Sequence, residues 1–369
     1  MEQCLNTINN LYDKIISKEN LKVALAKASR GKRKERKVIN ALANWQEIIN
    51  NLHEQLKNET WRPNDIHRIK IINDGVQAKK REIVCPDFLN EHVIYHAVMN
   101  VCKSYFINRF YKHSYASIPK YGGVRNAIKY IRHAMKDKHG TKYFLKLDIK
   151  KFFNSIRPST VFHVLRRMIR DKKVLILLTR ILRANKINHP ELGLIKRGCP
   201  IGLYTSQWFA NILLTPLDNL IKSFGKKTVP YYVRYNDDML IFSPNKRKLK
   251  NVLDAIIAHL TKIKLRLKEQ PQIHMTSKNK IEYIGATISY DKIIMKPKTF
   301  LKARHVLSRI KRKIDGRYRL NSYDAKRVLT YTARARFFDM YNFISSYDFD
   351  RGKLKRIVGH ADRLKKLSQ

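Results

Sequence analysis

Two adjacent carboxylates, Asp237 and Asp238, sit inside the run Tyr231-Tyr-Val-Arg-Tyr-Asn-Asp-Asp-Met-Leu-Ile-Phe242, flanked by apolar and aromatic residues. The pattern predicts two strands joined by a turn that presents both acids. Like charges held together in apolar surroundings are costly unless cations neutralise them. Read alone, the run also fits an ordinary Asn-Asp turn. A third acid narrows the choice, because Asp148 closes another apolar run, Tyr143-Phe-Leu-Lys-Leu-Asp148, and leads into Ile-Lys-Lys-Phe-Phe153. Three carboxylates at the ends of neighbouring strands suit two Mg2+ ions, with Mn2+ as the substitute. Held about 4 Å apart, such ions stabilise both the attacking and the leaving oxygen of a phosphoryl transfer.

These acids need a scaffold. Residues 1–75 read as mainly helical, with Leu21, Leu25, Ala28, Ile39, Leu42, Trp45, Ile49, Leu52 and Leu56 at helical spacing until Trp61-Arg-Pro63 breaks the pattern. Residues 66–72 and 81–85 read as two basic strands around the turn Asn73-Asp-Gly75, a hairpin. Helical spacing returns over 88–111 and 124–135, a strand is expected over 143–149, and one helix over 161–182. Residues 193–202 read as a loop, 205–221 as an apolar helix, 229–243 as the acid-bearing strand pair, and 249–263 as a helix. Beyond 296 the chain is basic and helical. The alternation implies an α+β fold, a sheet backed by helices.

Charge names the partner. Against 29 Asp+Glu stand 77 Lys+Arg, a net charge of +48, spread through the whole chain rather than gathered in a tail. A surplus of that size repels itself unless a polyanion neutralises it, so nucleic acid is the expected ligand. Apolar content of 44 % excludes a disordered chain. Cys4, Cys85, Cys102 and Cys199 form no CxxC pair, which argues against a disulfide framework or structural zinc and suits a reducing cytoplasm. Polar residues among the first eleven give no leader-like stretch, and no apolar run is long enough to cross a bilayer, so no membrane role is expected.

In the order acid, Gly-rich loop and helix, paired acids, the chain resembles the reverse transcriptase family. The resemblance implies a right-hand polymerase: a helical extension over 1–64, fingers and palm over 65–295, and a helical thumb over 296–369. It implies that Asp148, Asp237 and Asp238 are the catalytic, metal-binding acids and that the carbonyl of Ile149 is a further metal ligand. Phe153 falls where the family has an aromatic gate against the ribose 2′-hydroxyl, while neighbouring Phe152 reads as core. Lys79 and Arg81, in Ala78-Lys-Lys-Arg-Glu-Ile83, match the basic residues that grip the incoming dNTP, with Lys80 able to replace Lys79 by a one-residue shift. Ser114-Tyr-Ala116 with Gly122-Gly123 matches a template-positioning block, and Tyr283-Ile-Gly285 resembles the family's short primer-grip turn.

Two departures point to a subfamily. Arg197-Gly-Cys-Pro-Ile-Gly-Leu-Tyr-Thr-Ser-Gln207 has apolar Ile201 before Gly202, and Gln207 after Ser206, where most relatives have Gln and Pro. That pattern resembles diversity-generating retroelement enzymes, and implies that Ile201 and Gly202 border the nascent base pair, that Gln207 meets the dNTP, and that copying is error-prone at template adenines. Pro271 stands where many relatives carry a lysine near the leaving pyrophosphate, with Lys268 nearby. The implied partners are an RNA template (a cognate non-coding or template-repeat RNA), a primer, the cDNA product, dNTPs and a small helical accessory protein. A bacterial defence enzyme copying a dedicated non-coding RNA is the alternative role. A polymerase-derived RNA-binding protein without catalysis is the alternative class.

Overall fold

The computed structural model describes residues 10–64, 67–74, 79–119, 121–184, 186–189, 193–196 and 198–367; at 68–69, 72–74, 79–82, 186–189, 193–196 and 362–367 it describes backbone only. Eleven strands appear among them: β1 (Arg68–Asp74), β2 (Lys79–Cys85), β3 (Tyr143–Leu147), β4 (Lys186–His189), β5 (Gly193–Lys196), β6 (Tyr231–Tyr235), β7 (Asp238–Ser243), β8 (Ile273–Met275), β9 (Ile281–Tyr283), β10 (Ala286–Ile288) and β11 (Ile293–Met295). The central sheet has the order β6-β7-β3-β8 and is antiparallel. One of its faces is covered by the helices Ser206–Ser223 and Lys246–Lys262, whose apolar stripes (Ile212, Leu213, Ile221; Leu249, Val252, Ile256) are fully buried. This is the right-hand polymerase arrangement of an antiparallel palm backed by helices.

One core runs from Leu11 to Leu265 and joins the N-terminal helices to the palm. The N-terminal helices are tied to it by polar contacts too: the carboxylate of Asp171 accepts from the amides of Leu11 and Tyr12 at 2.9 and 3.0 Å. At the root of the β1–β2 hairpin, buried Glu91 accepts from the amides of Asn64 and Asp87 and from Tyr95, and pairs with His67 at 2.7 Å. A second core lies between the central sheet and the small β11-β10-β9 sheet, and a third holds the helices Pro297–Asp315, Ser322–Ala335 and Arg351–Leu367 together.

Three expectations need correction. The single helix over 161–182 is two helices, Pro158–Met168 and Lys172–Arg183, because Ile169 turns extended and Asp171 caps the second by accepting from the amide of Val174. The loop over 193–202 begins with β5, which pairs with β4. Around the turn Tyr283-Ile-Gly285, which the sequence offered alone, the structure builds a three-stranded sheet of β9, β10 and β11.

Candidate active site

Strand β3 runs antiparallel to β7 with Leu147 opposite Met239, so Asp148 emerges at the same end of the sheet as Asp238. Strands β6 and β7 close at Tyr235 opposite Asp238, leaving Asn236 and Asp237 as a two-residue turn. Asn236 takes a left-handed φ of 55°, a conformation that asparagine tolerates better than most residues. The sequence-predicted acids are thereby brought together. Burial pushes the Asp237 carboxyl up to about 7, aided by the charges of Asp238 and Asp148 and by a hydrogen bond shared with Asp148. Asp238 is also raised, by burial and by Asp148, while Lys146, Lys296 and Lys268 pull it the other way.

Two anchors fix this turn: Arg234, which the sequence did not flag, and Tyr283, which it flagged only as part of a turn. Beneath it, Arg234 is completely buried and donates to Asp218 from Nε at 2.8 Å and Nη2 at 2.7 Å. Its Nη1 donates to Asn211 at 2.9 Å and to the carbonyl of Asn236, inside the turn, at 3.1 Å. Burial works against the guanidinium charge, yet the Asp218 carboxylate more than offsets it and holds the group above its ordinary value. Tyr232 completes the network, donating to Asp218 at 2.7 Å. From the other side, the hydroxyl of buried Tyr283 in β9 donates to the carbonyl of Asp238 at 3.0 Å. A cation in an otherwise apolar strand and an acid in an apolar helix were the available signals.

The other predicted residues distribute as follows. Ile149 is buried and bridges Leu267 through the Asp148 carbonyl and the Lys150 amide, which leaves its own carbonyl out of the pairing. The same bridge brings the Lys268 ammonium to 3.7 Å from Asp148. Phe152 is core; Phe153 is only partly buried and packs edge-on against it at 5.4 Å. Gln207 is exposed on the first turn of the helix Ser206–Ser223. The carbonyl of Ile201 accepts from the Val84 amide at 2.8 Å, and a Cβ on Gly202 would lie 2.1 Å from the Val84 carbonyl oxygen, so this loop docks closely on β2. Lys79 and Arg81 lie in β2, opposite Asp74 and Ile72, and their side chains fall outside the described residues. The Ser114–Ala116 block is stitched to β6 through Ser114–Arg234 pairing and to Asn211 through the Ala116 carbonyl.

As a donor set, these carboxylate oxygens fit a hard divalent cation, whose charge would offset the burial that raises Asp237 and Asp238. Among the described residues, no three acids, histidines or cysteines converge into a preformed cluster. Among the same residues, no helix is long and apolar enough to cross a membrane.

Comparison with known proteins agrees with this geometry. Residues 76–288 match the family described as reverse transcriptase (RNA-dependent DNA polymerase). The chain is 25 % identical over 235 residues to the group II intron-encoded protein LtrA of Lactococcus lactis subsp. cremoris, covering 64 % of this chain and 37 % of that protein. It is 35 % identical over 108 residues to the retron Ec83 reverse transcriptase of Escherichia coli, covering 28 % of this chain and 33 % of that protein. The chain thus spans about a third of the length of these curated relatives. In fold it is similar to apo telomerase from Candida tropicalis, with a TM-score of 0.51 at 14 % identity over 86 % of this chain and 66 % of that one. With the matched region spanning more than half its length and containing all three acids, the chain belongs to the reverse transcriptase family.

Proposed function

We propose that the chain is an RNA-directed DNA polymerase that copies an RNA template into cDNA by two-metal phosphoryl transfer. The observation that carries this reading is the placing of Asp148, Asp237 and Asp238 at one end of the central sheet, where burial pushes the Asp237 carboxyl up to about 7. A divalent cation would offset that burial and the neighbouring charges. Asp148, Asp237, Asp238 and the carbonyl of Ile149 would hold two Mg2+ ions, with Mn2+ as the substitute. Bound there, the metals supply activation of the primer 3′-hydroxyl and neutralisation of the triphosphate. The chain's own groups then select and orient: the exposed edge of Phe153 excludes a ribose 2′-hydroxyl, Lys79 and Arg81 grip the triphosphate, and Lys268 adds a cation beside Asp148. Gln207 meets the incoming nucleotide, and Ile201 and Gly202 border the nascent base pair.

The finer reading is a diversity-generating role, supported by apolar Ile201 and by Gln207. The test is primer extension on a defined RNA template with Mg2+ and four dNTPs, comparing wild type with Asp237→Ala/Asp238→Ala. Extension by wild type alone is expected, with errors concentrated opposite template adenine. Accurate copying would instead favour the defence role on a dedicated RNA. Equal extension by the double variant would sink the assignment of the acids.

A further inference from the structure

The three most exposed large apolar or aromatic side chains among the described residues are all in the C-terminal helical region: Tyr341, Tyr318 and Tyr323, at 80, 73 and 66 %. That region is strongly basic, with 21 Lys+Arg against six Asp+Glu over 296–369. Each open ring offers a flat apolar face with a polar tip, set among cations. Tyr318 lies in the short link between the helices Pro297–Asp315 and Ser322–Ala335, and Tyr323 lies at the start of the second helix.

The link is built to hold a ring open. After the first helix, Arg317 takes a left-handed φ of 57°, and the amide of Tyr318 folds back to donate to the carbonyl of Lys313 at 2.9 Å. The Tyr318 ring lies along Gly316, where a Cβ would meet two ring carbons at 3.1 and 3.2 Å. Glycine therefore lets one edge of the ring rest on the helix end while most of it faces solvent. Arg317 and Arg319 flank it, both exposed. Beside it opens a groove of about 820 Å³, floored by Leu320, Phe349 and Leu354 and edged by Lys311, Arg319 and Lys353. Of the two acids in the groove, Asp350 is already engaged as a helix cap, accepting from the Lys353 amide at 3.0 Å. In the next helix the Arg327 guanidinium lies over the Tyr323 ring at 5.4 Å.

We propose that the 316–323 link and its groove form a binding site for unpaired RNA bases, with Tyr318 as the stacking platform and Arg317 and Arg319 as phosphate contacts. Open aromatic faces interleaved with cations suit single strands, whose bases are free to leave their own stack. In a paired helix the base faces are already stacked and are unavailable to Tyr318. The inference rests on the polymerase reading only for the identity of the nucleic acid.

The test is equilibrium binding of the full chain to a short fluorescein-labelled oligoadenylate and to an RNA–DNA duplex of the same length. Tyr318→Ala should weaken single-strand binding by roughly 5- to 100-fold and leave duplex binding nearly unchanged, while Tyr318→Phe should stay within about twofold of wild type. Arg317→Gln should lower the salt dependence of single-strand binding by about 0.7 in log–log slope. Unchanged single-strand binding by Tyr318→Ala, or an equal loss on the duplex, overturns the site; in the first case a protein partner becomes the better occupant of the groove. Primer extension by the same wild-type preparation is read separately. Its failure would count against the polymerase reading and leave the binding comparison intact.

Discussion

Arg234 and Asp218 offer a way to separate what stabilises the chain from what positions its acids. Both side chains are completely buried, and two charge-assisted hydrogen bonds of 2.8 and 2.7 Å join them. Removing one partner leaves a buried charge unpaired, which costs about 3–5 kcal/mol. Asp218→Ala also deprives the Tyr232 hydroxyl of its acceptor, for a further ~1–3 kcal/mol. Against a total stability of about 5–15 kcal/mol, that variant sits near the edge of folding. The informative variant is the double replacement Asp218→Leu/Arg234→Met, which removes both charges and keeps the volume filled. Such replacements of a buried pair are often close to neutral in stability. The Nη1 contact to the Asn236 carbonyl is still lost, and with it the support beneath the turn that carries Asp237. A displacement of reacting groups by about 1 Å costs on the order of 100-fold in rate.

The assay pairs urea denaturation, followed by circular dichroism, with primer extension at saturating Mg2+. Asp218→Ala should lose several kcal/mol. The double variant should recover the part due to the unpaired charge, keep the ~1–3 kcal/mol cost of the Tyr232 hydroxyl without its acceptor, and still extend primers roughly 100-fold more slowly than wild type. A double variant as active as wild type would refute the positioning role of Arg234. An Asp218→Ala chain of unchanged stability would refute the burial of the pair.

Three further outcomes follow from the same geometry. Phe153→Ala should admit ribonucleotides, lowering dNTP-over-rNTP discrimination in kcat/KM by about tenfold or more, since only part of the ring is held by Phe152. Because Asp237 is raised to about 7, the folded chain keeps a proton that the unfolded chain releases near pH ~4; metal-free stability should therefore fall as pH rises between these values, and Mg2+ should raise the melting temperature more at pH ~8 than at pH ~6. Gly202→Ala should cost more than about 2 kcal/mol in urea unfolding, because its Cβ would strike the Val84 carbonyl at a φ of 118°.

The acids were legible in the sequence because their type was wrong for their surroundings: carboxylates at the ends of apolar strands. Long helices were legible through their periodicity. The breaks and the short pieces were not. Asp171 starts the helix Lys172–Arg183 while also accepting from the amides of Leu11 and Tyr12, 160 and 159 residues away, and no local pattern carries such a partner. Strands β9, β10 and β11 have three residues each, too few for alternation to stand out. Strands β4 and β5 contain Lys186, Asn188, His189 and Lys196, a composition that reads as loop.

What the sequence hid most completely is why the site holds its shape. Burial and neighbouring acids raise both Asp237 and Asp238, so the turn that carries them is costly to hold without a metal and gains from restraint that does not depend on one. The restraint comes from two directions. Arg234 holds the Asn236 carbonyl from within the palm, through a partner 16 residues earlier on the helix Ser206–Ser223. Tyr283 holds the Asp238 carbonyl from the small sheet, 45 residues further along the chain. Because the second anchor belongs to the core shared by the palm, the small sheet and the start of the thumb, a shift of that sheet is transmitted to the acids by a single hydroxyl. The position of the acid-bearing turn is therefore coupled to the packing of β9, a dependence that neither run of residues reveals by itself.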